Sequence, residues 1–389
     1  MKYELASSTW GNEELKAINE VVKSGNFTMG KRVKQFEIEF ANYFNSKYCL
    51  MVNSGSSANL ISIASLFFKS ENPLKRGDEI IVPSVSWSTT YHPLQQYGLK
   101  LKFVDINLDT LNYDLTKLEE AIGNKTKAIV IVNLLGNPND FNKINKIIKN
   151  KNILLVEDNC ESMGAKFDGK YAGTFGVMGT FSGFFSHHIS TMEGGMVLTD
   201  SEELYHIMLS LRAHGWTRDL PKENSLVGKD SNIFNESFRF ILPGYNLRPL
   251  EFSGSTGTEQ LKKLPKFIEA RRKNAQYFKK KFSNNKRYKI QKELGESSWF
   301  GFSLIIRDEG VNRDEVLSKL SFNQIDVRPI VSGNFLKNEV IKFYNYEVHS
   351  NLKNSEYLDK YGFFVGNHHY DISEKIDFLY NILMSSIND

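Results

Sequence analysis

Residues 184–196 read FFSHHISTMEGGM and place two adjacent histidines shortly before a Glu-Gly-Gly turn. Imidazole titrates near neutrality, so a histidine can take up or release a proton, and it is also a common metal ligand. Adjacent residues on an extended chain point to opposite faces, which disfavours His187 and His188 as a metal pair. We therefore expect at most one of them to face a site, and the other to be a buried, hydrogen-bonded structural residue.

A turn of small residues, NSGSSAN (53–59), follows an apolar run. Free backbone N–H groups and the hydroxyls of Ser56 and Ser57 at a helix N-terminus would suit a phosphate. Simple capping of the helix by serine explains the same pattern. No Gly-Lys-Ser/Thr follows, so the turn is not a Walker loop.

Two further motifs follow apolar runs and could contact an aromatic ligand. In PSVSWSTT (83–90), Trp87 can lie flat on such a ligand, although tryptophan is more often found in a core. In VEDNCES (156–162), a carboxylate at the end of a strand would suit a protonated ring nitrogen. For Asp158 the alternative is an ordinary helix N-cap.

The elements that must position these motifs alternate between short apolar runs and amphipathic segments of helix length. This alternation predicts parallel strands joined by helices, an α/β sheet covered on both faces. In such sheets ligands collect at the carboxyl ends of the strands, where the motifs lie. The predicted strands are 47–53, 78–83, 101–106, 127–135 and 153–158.

The pattern changes in the second half of the chain. A long helix is predicted over 202–214, and strands over 299–308 and 325–330 belong to a helix-rich region. We therefore expect a large α/β domain over 1–250 and a smaller α+β domain over 251–389.

Composition excludes several classes of protein. Lys+Arg 49 against Asp+Glu 45 leaves a net charge of +4, too small an excess to indicate a nucleic-acid or membrane partner. Two cysteines, Cys49 and Cys160, cannot build a disulfide framework, a cysteine zinc site or a four-cysteine iron–sulfur cluster. No apolar run approaches the ~20 residues of a membrane span, and the start does not resemble a signal peptide. We expect a cytoplasmic protein and no metal site.

Taken in order, these motifs resemble the sugar aminotransferases of the DegT/DnrJ/EryC1/StrS family, which bind pyridoxal 5'-phosphate and have the aspartate-aminotransferase (type I) fold. The resemblance spans nearly the whole chain. It implies a role in cofactor binding for Ser56, Ser57 and Ser182 (phosphate), Trp87 (stacking on the ring) and Asp158 (ring nitrogen). Glu161 stands where the family commonly has glutamine, and it would contact the phenolic oxygen. Asn246 resembles an asparagine that reaches the cofactor phosphate of the partner in a homodimer with shared active sites.

The departure from the family concerns the lysine that binds the cofactor covalently. In the family it lies six residues before the glutamate of a Gly-Glu-Gly-Gly turn, and counting back from Glu193 leads to His187. Met192 replaces the first glycine of that turn. Imidazole cannot form the covalent bond, but it can act as a base. The resemblance therefore implies a non-covalently bound pyridoxal or pyridoxamine 5'-phosphate and a catalytic His187.

The exchange of lysine for histidine, together with HHISTMEGG, WSTTYHPLQQYG, NLLGNP, EDNCESMGA and RAHGWTR, is similar to a dehydratase branch of the family. The implied function is removal of the C3 hydroxyl from GDP-4-keto-6-deoxy-D-mannose, with L-glutamate as co-substrate and ammonia and 2-oxoglutarate as products, in colitose and O-antigen biosynthesis. Candidate substrate contacts are Ser186, His214, Arg218 and Arg328.

Two other functions fit the same resemblance. A plain nucleotide-sugar aminotransferase would need a lysine elsewhere, and a non-catalytic binding protein would have no reason to retain the cofactor residues. A reductive relative also has histidine at this position but contains an iron–sulfur cluster, which two cysteines cannot bind.

Overall fold

The computed structural model describes residues 1–385. The helices are α1 Asn12–Ser24, α2 Lys31–Phe44, α3 Gly55–Ser65, α4 Ser88–Gln96, α5 Leu115–Ala121, α6 Phe141–Ile148, α7 Glu202–Arg212, α8 Ile233–Glu236, α9 Glu251–Phe282, α10 Arg313–Phe322, α11 Lys353–Tyr361 and α12 Ser373–Met384. The strands are β1 Tyr48–Val52, β2 Glu79–Pro83, β3 Lys100–Val104, β4 Thr126–Val132, β5 Leu154–Asp158, β6 Lys166–Phe167, β7 Lys170–Tyr171, β8 Met178–Ser182, β9 Gly195–Thr199, β10 Tyr288–Ile290, β11 Gly301–Ile306, β12 Tyr346–Val348 and β13 Gly362–Gly366.

The large sheet has eight strands in the order β1-β9-β8-β5-β4-β2-β3-β12. Its central strands are parallel, and β9 runs antiparallel to both of its neighbours, β1 and β8. The carboxyl ends of the other strands therefore meet at one edge, where Val52, Pro83, Asp158 and Ser182 are the last strand residues. The predicted α/β fold with a mainly parallel sheet is confirmed.

Both faces of the large sheet are covered, which explains why its strands read as continuous apolar runs. Ile80 and Val82 of β2 pack into one buried cluster, whereas Ile81 packs into another. Side chains of a strand alternate between faces, so the two clusters lie on opposite sides of the sheet.

A second sheet, β10-β11-β13, is antiparallel and packs with the C-terminal helices. Its core contains Phe278 of α9 and Phe302 of β11, whose rings stack with centroids 4.3 Å apart. β12 returns to the large sheet and pairs in parallel with β3. The division at residue 250 stays a prediction; α9 begins at Glu251, directly after it.

The strand predictions hold except for one. The runs over 47–53, 78–83 and 153–158 contain β1, β2 and β5, and those over 101–106 and 127–135 overlap β3 and β4, which each begin one residue earlier. The run over 299–308 contains β11, and 202–214 contains α7. The predicted strand over 325–330 is wrong. Ile325 and Arg328 form only single bridges, to Tyr3 and Phe364, and Pro329 has no N–H to continue a ladder.

Between residues 1 and 385, no helix combines the length and the apolar character that crossing a membrane requires.

Candidate active site

A cavity of about 370 Å³ opens at the carboxyl edge of the large sheet. This volume lies within the usual range for small-molecule sites. The predicted residues that line it are Ser56, Trp87, Asp158, Glu161, Ser182, Ser186, His187 and Arg328. The structure thus brings most of the predicted site residues together, although they come from distant parts of the chain.

The N-terminus of α3 forms one end of the cavity. Ser54 caps the helix, since its Oγ accepts a hydrogen bond from the Ser57 N–H at 3.1 Å. The capping interpretation is therefore right for Ser54, while the neighbouring Ser56 lines the cavity. A Cβ on Gly55 would come within 2.7 Å of the Ser182 Cβ, so only glycine allows the turn to pack directly on the end of β8.

Asp158 ends β5 and is held by side chains of α3 and α4. Its Oδ2 accepts hydrogen bonds from Thr90 Oγ1 at 2.7 Å and from Asn59 Nδ2 at 2.9 Å. Its Oδ1 accepts one from the Cys160 N–H at 3.2 Å. Asn59 is itself fixed, because its Oδ1 accepts from Thr180 Oγ1 at 2.6 Å. The carboxylate therefore has one orientation in the cavity wall.

Two of the alternative interpretations are wrong. Trp87 is not a core residue, since 57% of its side chain is exposed and it lines the cavity. Asp158 does not cap a helix, because residues 159–165 form turns and no helix. Both side chains are therefore available to a ligand.

Glu161 lies near Asp158 in the same wall. Burial raises the pKa of Glu161 to about 7, a hydrogen bond from the Leu135 N–H to Oε2 at 3.0 Å opposes the rise, and the Asp158 carboxylate adds to it. A carboxyl group with this pKa is protonated in part of the molecules at neutral pH. Glu161 can therefore donate a hydrogen bond as well as accept one.

The two histidines lie in a loop between β8 and β9 and not on a strand, so the expectation of an extended chain is wrong. The loop is closed at its base by hydrogen bonds from the Thr191 N–H to the Gly183 carbonyl at 2.7 Å and from the Gly183 N–H to the Gly194 carbonyl at 2.8 Å. The expectation that at most one of the two histidines faces the site is nevertheless correct. His187 lines the cavity, whereas His188 is fully buried and its Nε2 donates to the Ser298 carbonyl at 3.1 Å.

His187 packs against aromatic rings. Its ring centroid is 5.1 Å from that of Phe300 and 6.1 Å from that of Phe184. Its Nδ1 is buried without a hydrogen-bond partner among residues 1–385. Burial lowers the pKa of His187 to about 3, and the positive charge of Arg271 adds to this effect. The imidazole is therefore neutral at physiological pH and has a free lone pair to accept a proton.

Met192, three residues after Ile189 in the histidine loop, has a backbone φ of +67°. This left-handed region favours glycine, which is the residue that the resemblance places there. The loop thus keeps the glycine-like backbone although the side chain has changed.

Ser57 and three further predicted residues do not line the cavity of a single chain. Asn246 is exposed and its Oδ1 accepts from the Arg248 Nε at 3.0 Å. His214 packs on Trp216 with ring centroids 4.7 Å apart, and the Arg218 guanidinium lies 4.1 Å from the centroid of the same ring. Their roles, like that of Ser57 in the first turn of α3, stay predictions.

Sequence reasoning missed Asn59, Thr90, Phe300 and Arg271. Asn59 and Thr90 lie within the segments 53–59 and 83–90, and the question of which polar side chains fix Asp158 could have found them. Phe300 and Arg271 are distant in sequence from the histidines they influence, and no local pattern indicates them.

The cavity provides no amine for a covalent bond to an aldehyde. Of the described residues that line it, none is a lysine.

Comparison with known proteins places these residues in a family context. The model of the DegT/DnrJ/EryC1/StrS aminotransferase family matches residues 8–370. GDP-4-keto-6-deoxy-D-mannose 3-dehydratase of Escherichia coli O55:H7 is 60% identical over 386 residues, which cover 98% of this chain and 100% of that protein.

Two solved structures are similarly close. A crystal structure of GDP-4-keto-6-deoxymannose-3-dehydratase with a trapped PLP–glutamate geminal diamine superposes with a TM-score of 0.97 at 60% identity, covering 98% of this chain and 100% of that one. A variant of this enzyme, in which a serine and the histidine directly after it are replaced by asparagine and lysine, gives a TM-score of 0.96 at 60% identity, with 97% and 100% of the two chains covered.

Proposed function

Since the chain belongs to the DegT/DnrJ/EryC1/StrS aminotransferase family, we propose that it is a pyridoxal-phosphate-dependent lyase acting on a nucleotide sugar. It removes the C3 hydroxyl from GDP-4-keto-6-deoxy-D-mannose and gives GDP-4-keto-3,6-dideoxy-D-mannose. L-Glutamate is the co-substrate, and ammonia and 2-oxoglutarate are released. The product is a 3,6-dideoxy sugar of the kind used in colitose and O-antigen biosynthesis.

The observation that carries this proposal is a histidine, and no lysine, in the wall of the cavity. A transaminase needs an amine that returns to displace its product. A dehydratase needs a group that moves protons, and an imidazole can both accept and release one. The structural relatives whose names describe a dehydratase support this choice.

The assignment to His187, and not to His188, has a second support. The substituted relative has a serine immediately before the histidine that was changed. In this chain the only serine followed by histidine is Ser186, next to His187. The buried His188, which donates to a backbone carbonyl, fits a structural role.

The residues present fit pyridoxal phosphate. The N-terminus of α3 with Ser56 and Ser57, and Ser182 at the end of β8, would hold the phosphate. Trp87, more than half exposed, would stack on the ring. The oriented Asp158 carboxylate would accept the ring N–H. When bound in its pyridoxamine form, the cofactor supplies an amine for the C4 ketone and a ring that accepts electrons as the C3 hydroxyl leaves.

His187 takes up and returns protons in both halves of the reaction. Its neutral imidazole accepts a proton when glutamate delivers its amino group. In the dehydration step it accepts another, and the resulting imidazolium gives that proton to the departing C3 hydroxyl. The aromatic rings of Phe184 and Phe300 exclude water from one side of the imidazole.

Glu161 would hold the phenolic oxygen of the cofactor. In its protonated form it donates a hydrogen bond, as the amide of the family's glutamine would, and in its ionised form it would repel a phenolate. Its pKa of about 7 makes this contact sensitive to pH in the physiological range.

Further contacts complete the proposal. Arg328 and Ser186 line the cavity and would contact the substrate, and the half-buried His214 and the exposed Arg218 would contribute to binding of the nucleotide part. Asn246, exposed outside the cavity, would reach the cofactor phosphate of a second copy in a homodimer. A cytoplasmic location stays a prediction.

The test is turnover of GDP-4-keto-6-deoxy-D-mannose with pyridoxal phosphate and glutamate and without a reductant. We expect ammonia and 2-oxoglutarate in equal amounts and a 3-deoxy sugar product. An amino sugar formed without release of ammonia would indicate an aminotransferase, and binding without turnover would indicate a non-catalytic protein. Either of these results would reject the proposed function.

A further inference from the structure

Arg271 of α9 is a buried cation without a carboxylate partner. Only 4% of the residue is exposed, and its Nη1 donates to the backbone carbonyls of Asn367 at 2.8 Å, Phe300 at 3.1 Å and Trp299 at 3.4 Å. No ion pair of residues 1–385 includes it. Burial of an unpaired charge is costly, so its retention next to the cavity calls for a reason.

Arg271 fixes one side of Phe300, and Leu135 fixes the other. The Phe300 N–H donates to the Leu135 carbonyl at 3.0 Å, while its carbonyl accepts from Arg271. The ring between these two anchors lies 5.1 Å from the His187 ring and 5.8 Å from the His188 ring, measured between centroids. The position of Phe300, and with it the packing of His187, therefore depends on Arg271.

The charge of Arg271 also reaches the histidines directly. It contributes, second to burial, to the lowered pKa values of His187, His188, His368 and His369. Other titratable or charged groups around His187 are its neighbour His188 and those that line the same cavity: Asp158, Cys160, Glu161, Glu193 and Arg328. Of the two arginines near His187, Arg271 is buried and Arg328 is exposed.

We propose that the buried cation Arg271 is a positioning residue for His187: its hydrogen bond to the Phe300 carbonyl holds the Phe300 ring against the imidazole. The proposal rests on the proposed role of His187 as the base. A neutral imidazole is ready to accept a proton, and the imidazolium that forms beside a fixed cation is a stronger acid. The charge of Arg271 therefore favours delivery of the proton to the departing hydroxyl, and it keeps the imidazole in the neutral form from which the reaction starts.

The test is the titration of His187 in the full-length chain without cofactor, followed by NMR of 13C-labelled histidine. The His187 signal is identified by its loss in His187→Asn. Arg271→Met removes the charge, Arg271→Lys keeps it, and Arg272→Met is the matched control. Arg272 is the next residue on α9 and pairs with Glu296 at 3.0 Å. Thermal melting establishes which variants are folded.

We expect the His187 midpoint to rise by about one pH unit in Arg271→Met, by much less in Arg271→Lys, and not at all in Arg272→Met. An unchanged midpoint in folded Arg271→Met would overturn the proposal, as would an equal rise in Arg271→Lys. If Arg271→Met does not fold, Arg271→Gln, which keeps an N–H donor without the charge, is judged by the same results. Because this titration needs neither cofactor nor substrate, its failure is distinct from a failure of the proposed reaction.

Discussion

Asp158 and His187 line the same cavity, but the protein surrounds them in opposite ways. On the Asp158 wall, which comprises Asn59, Thr90, Asp158 and Thr180, the polar side chains hydrogen-bond to one another and both carboxylate oxygens are occupied. On the His187 wall, which comprises the loop 184–193 and Phe300, the key imidazole has aromatic neighbours and a buried Nδ1 without a partner.

The difference follows from what each residue is proposed to do. A group that must keep one charge state and one direction benefits from a completed network of hydrogen bonds. A group that must accept a proton needs a free lone pair, and the surroundings of His187 leave one available by favouring its neutral form. The fixed wall would hold an untethered cofactor, and the other wall would carry out the chemistry.

The largest effect is expected from a substitution in the His187 wall. His187→Asn should lower the rate of dehydration by about 10²–10⁴-fold, because it removes the acid–base group. The dissociation constant of pyridoxal phosphate, measured by quenching of tryptophan fluorescence, should change by less than about threefold, since the Asp158 wall is intact.

His188→Asn is the matched control for that experiment. It removes a buried hydrogen bond to Ser298 and should lower the melting temperature, with a smaller loss of dehydration. If His188→Asn were the more damaging change to turnover in a folded protein, the assignment of the two histidines would be reversed.

The next largest effect is expected from a substitution in the Asp158 wall. Asp158→Asn should weaken binding of pyridoxal phosphate by about 100-fold, because a charge-assisted hydrogen bond to the ring nitrogen is lost. Equilibrium dialysis of the variant measures this. Binding at wild-type strength would mean that the Asp158 wall does not retain the cofactor.

A smaller effect is expected from Thr90, which donates a hydrogen bond to Asp158. Thr90→Val removes one of the two hydrogen bonds to Oδ2 and should weaken cofactor binding by about 3–10-fold. Ser86→Ala, which removes only the bond from Ser86 to Thr90, should have less effect. An equal loss in both variants would show that binding does not depend on the direct contact to the carboxylate.

The smallest effect concerns Glu161 and appears as a dependence on pH. Its pKa is about 7 in the folded protein and about 4.3 in an unfolded chain, so the folded state holds more protons between these values. Wild-type stability therefore falls as the pH rises from about 4.3 to about 7. Glu161→Gln has no carboxyl group at this position and therefore lacks this loss. The difference between its melting temperature and that of wild type should increase by about 2 °C from pH 5 to pH 8. A difference that is independent of pH would contradict the raised pKa.

The sequence predicted the carboxyl edge of the large sheet better than the His187 wall. Short apolar runs predicted β1, β2 and β5. The small or polar residues directly after these strands must lie at the same edge, because the strands of a parallel sheet end there. The local pattern therefore placed Ser56, Trp87 and Asp158 at that edge, whereas their roles were implied by the family resemblance.

The His187 wall depends on contacts that a local pattern does not contain. The extended-chain argument correctly expected at most one histidine at the cavity although residues 183–194 form a loop, because His188 donates to the buried carbonyl of Ser298. Phe300 and Arg271 come from the C-terminal half, and their packing on His187 results from the way α9 and β11 close over the large sheet. The wrong prediction of a strand over 325–330 shows the same limit, because Pro329 has no N–H with which to continue strand pairing.

The most direct test of the central claim, that an imidazole has replaced the covalent anchor, is the intact mass of the protein after borohydride reduction in the presence of pyridoxal phosphate. His187→Lys serves as the positive control and should gain the mass of a reduced cofactor adduct. The account predicts an unmodified mass for the wild-type chain. A wild-type chain that gains the adduct on any lysine would contradict it.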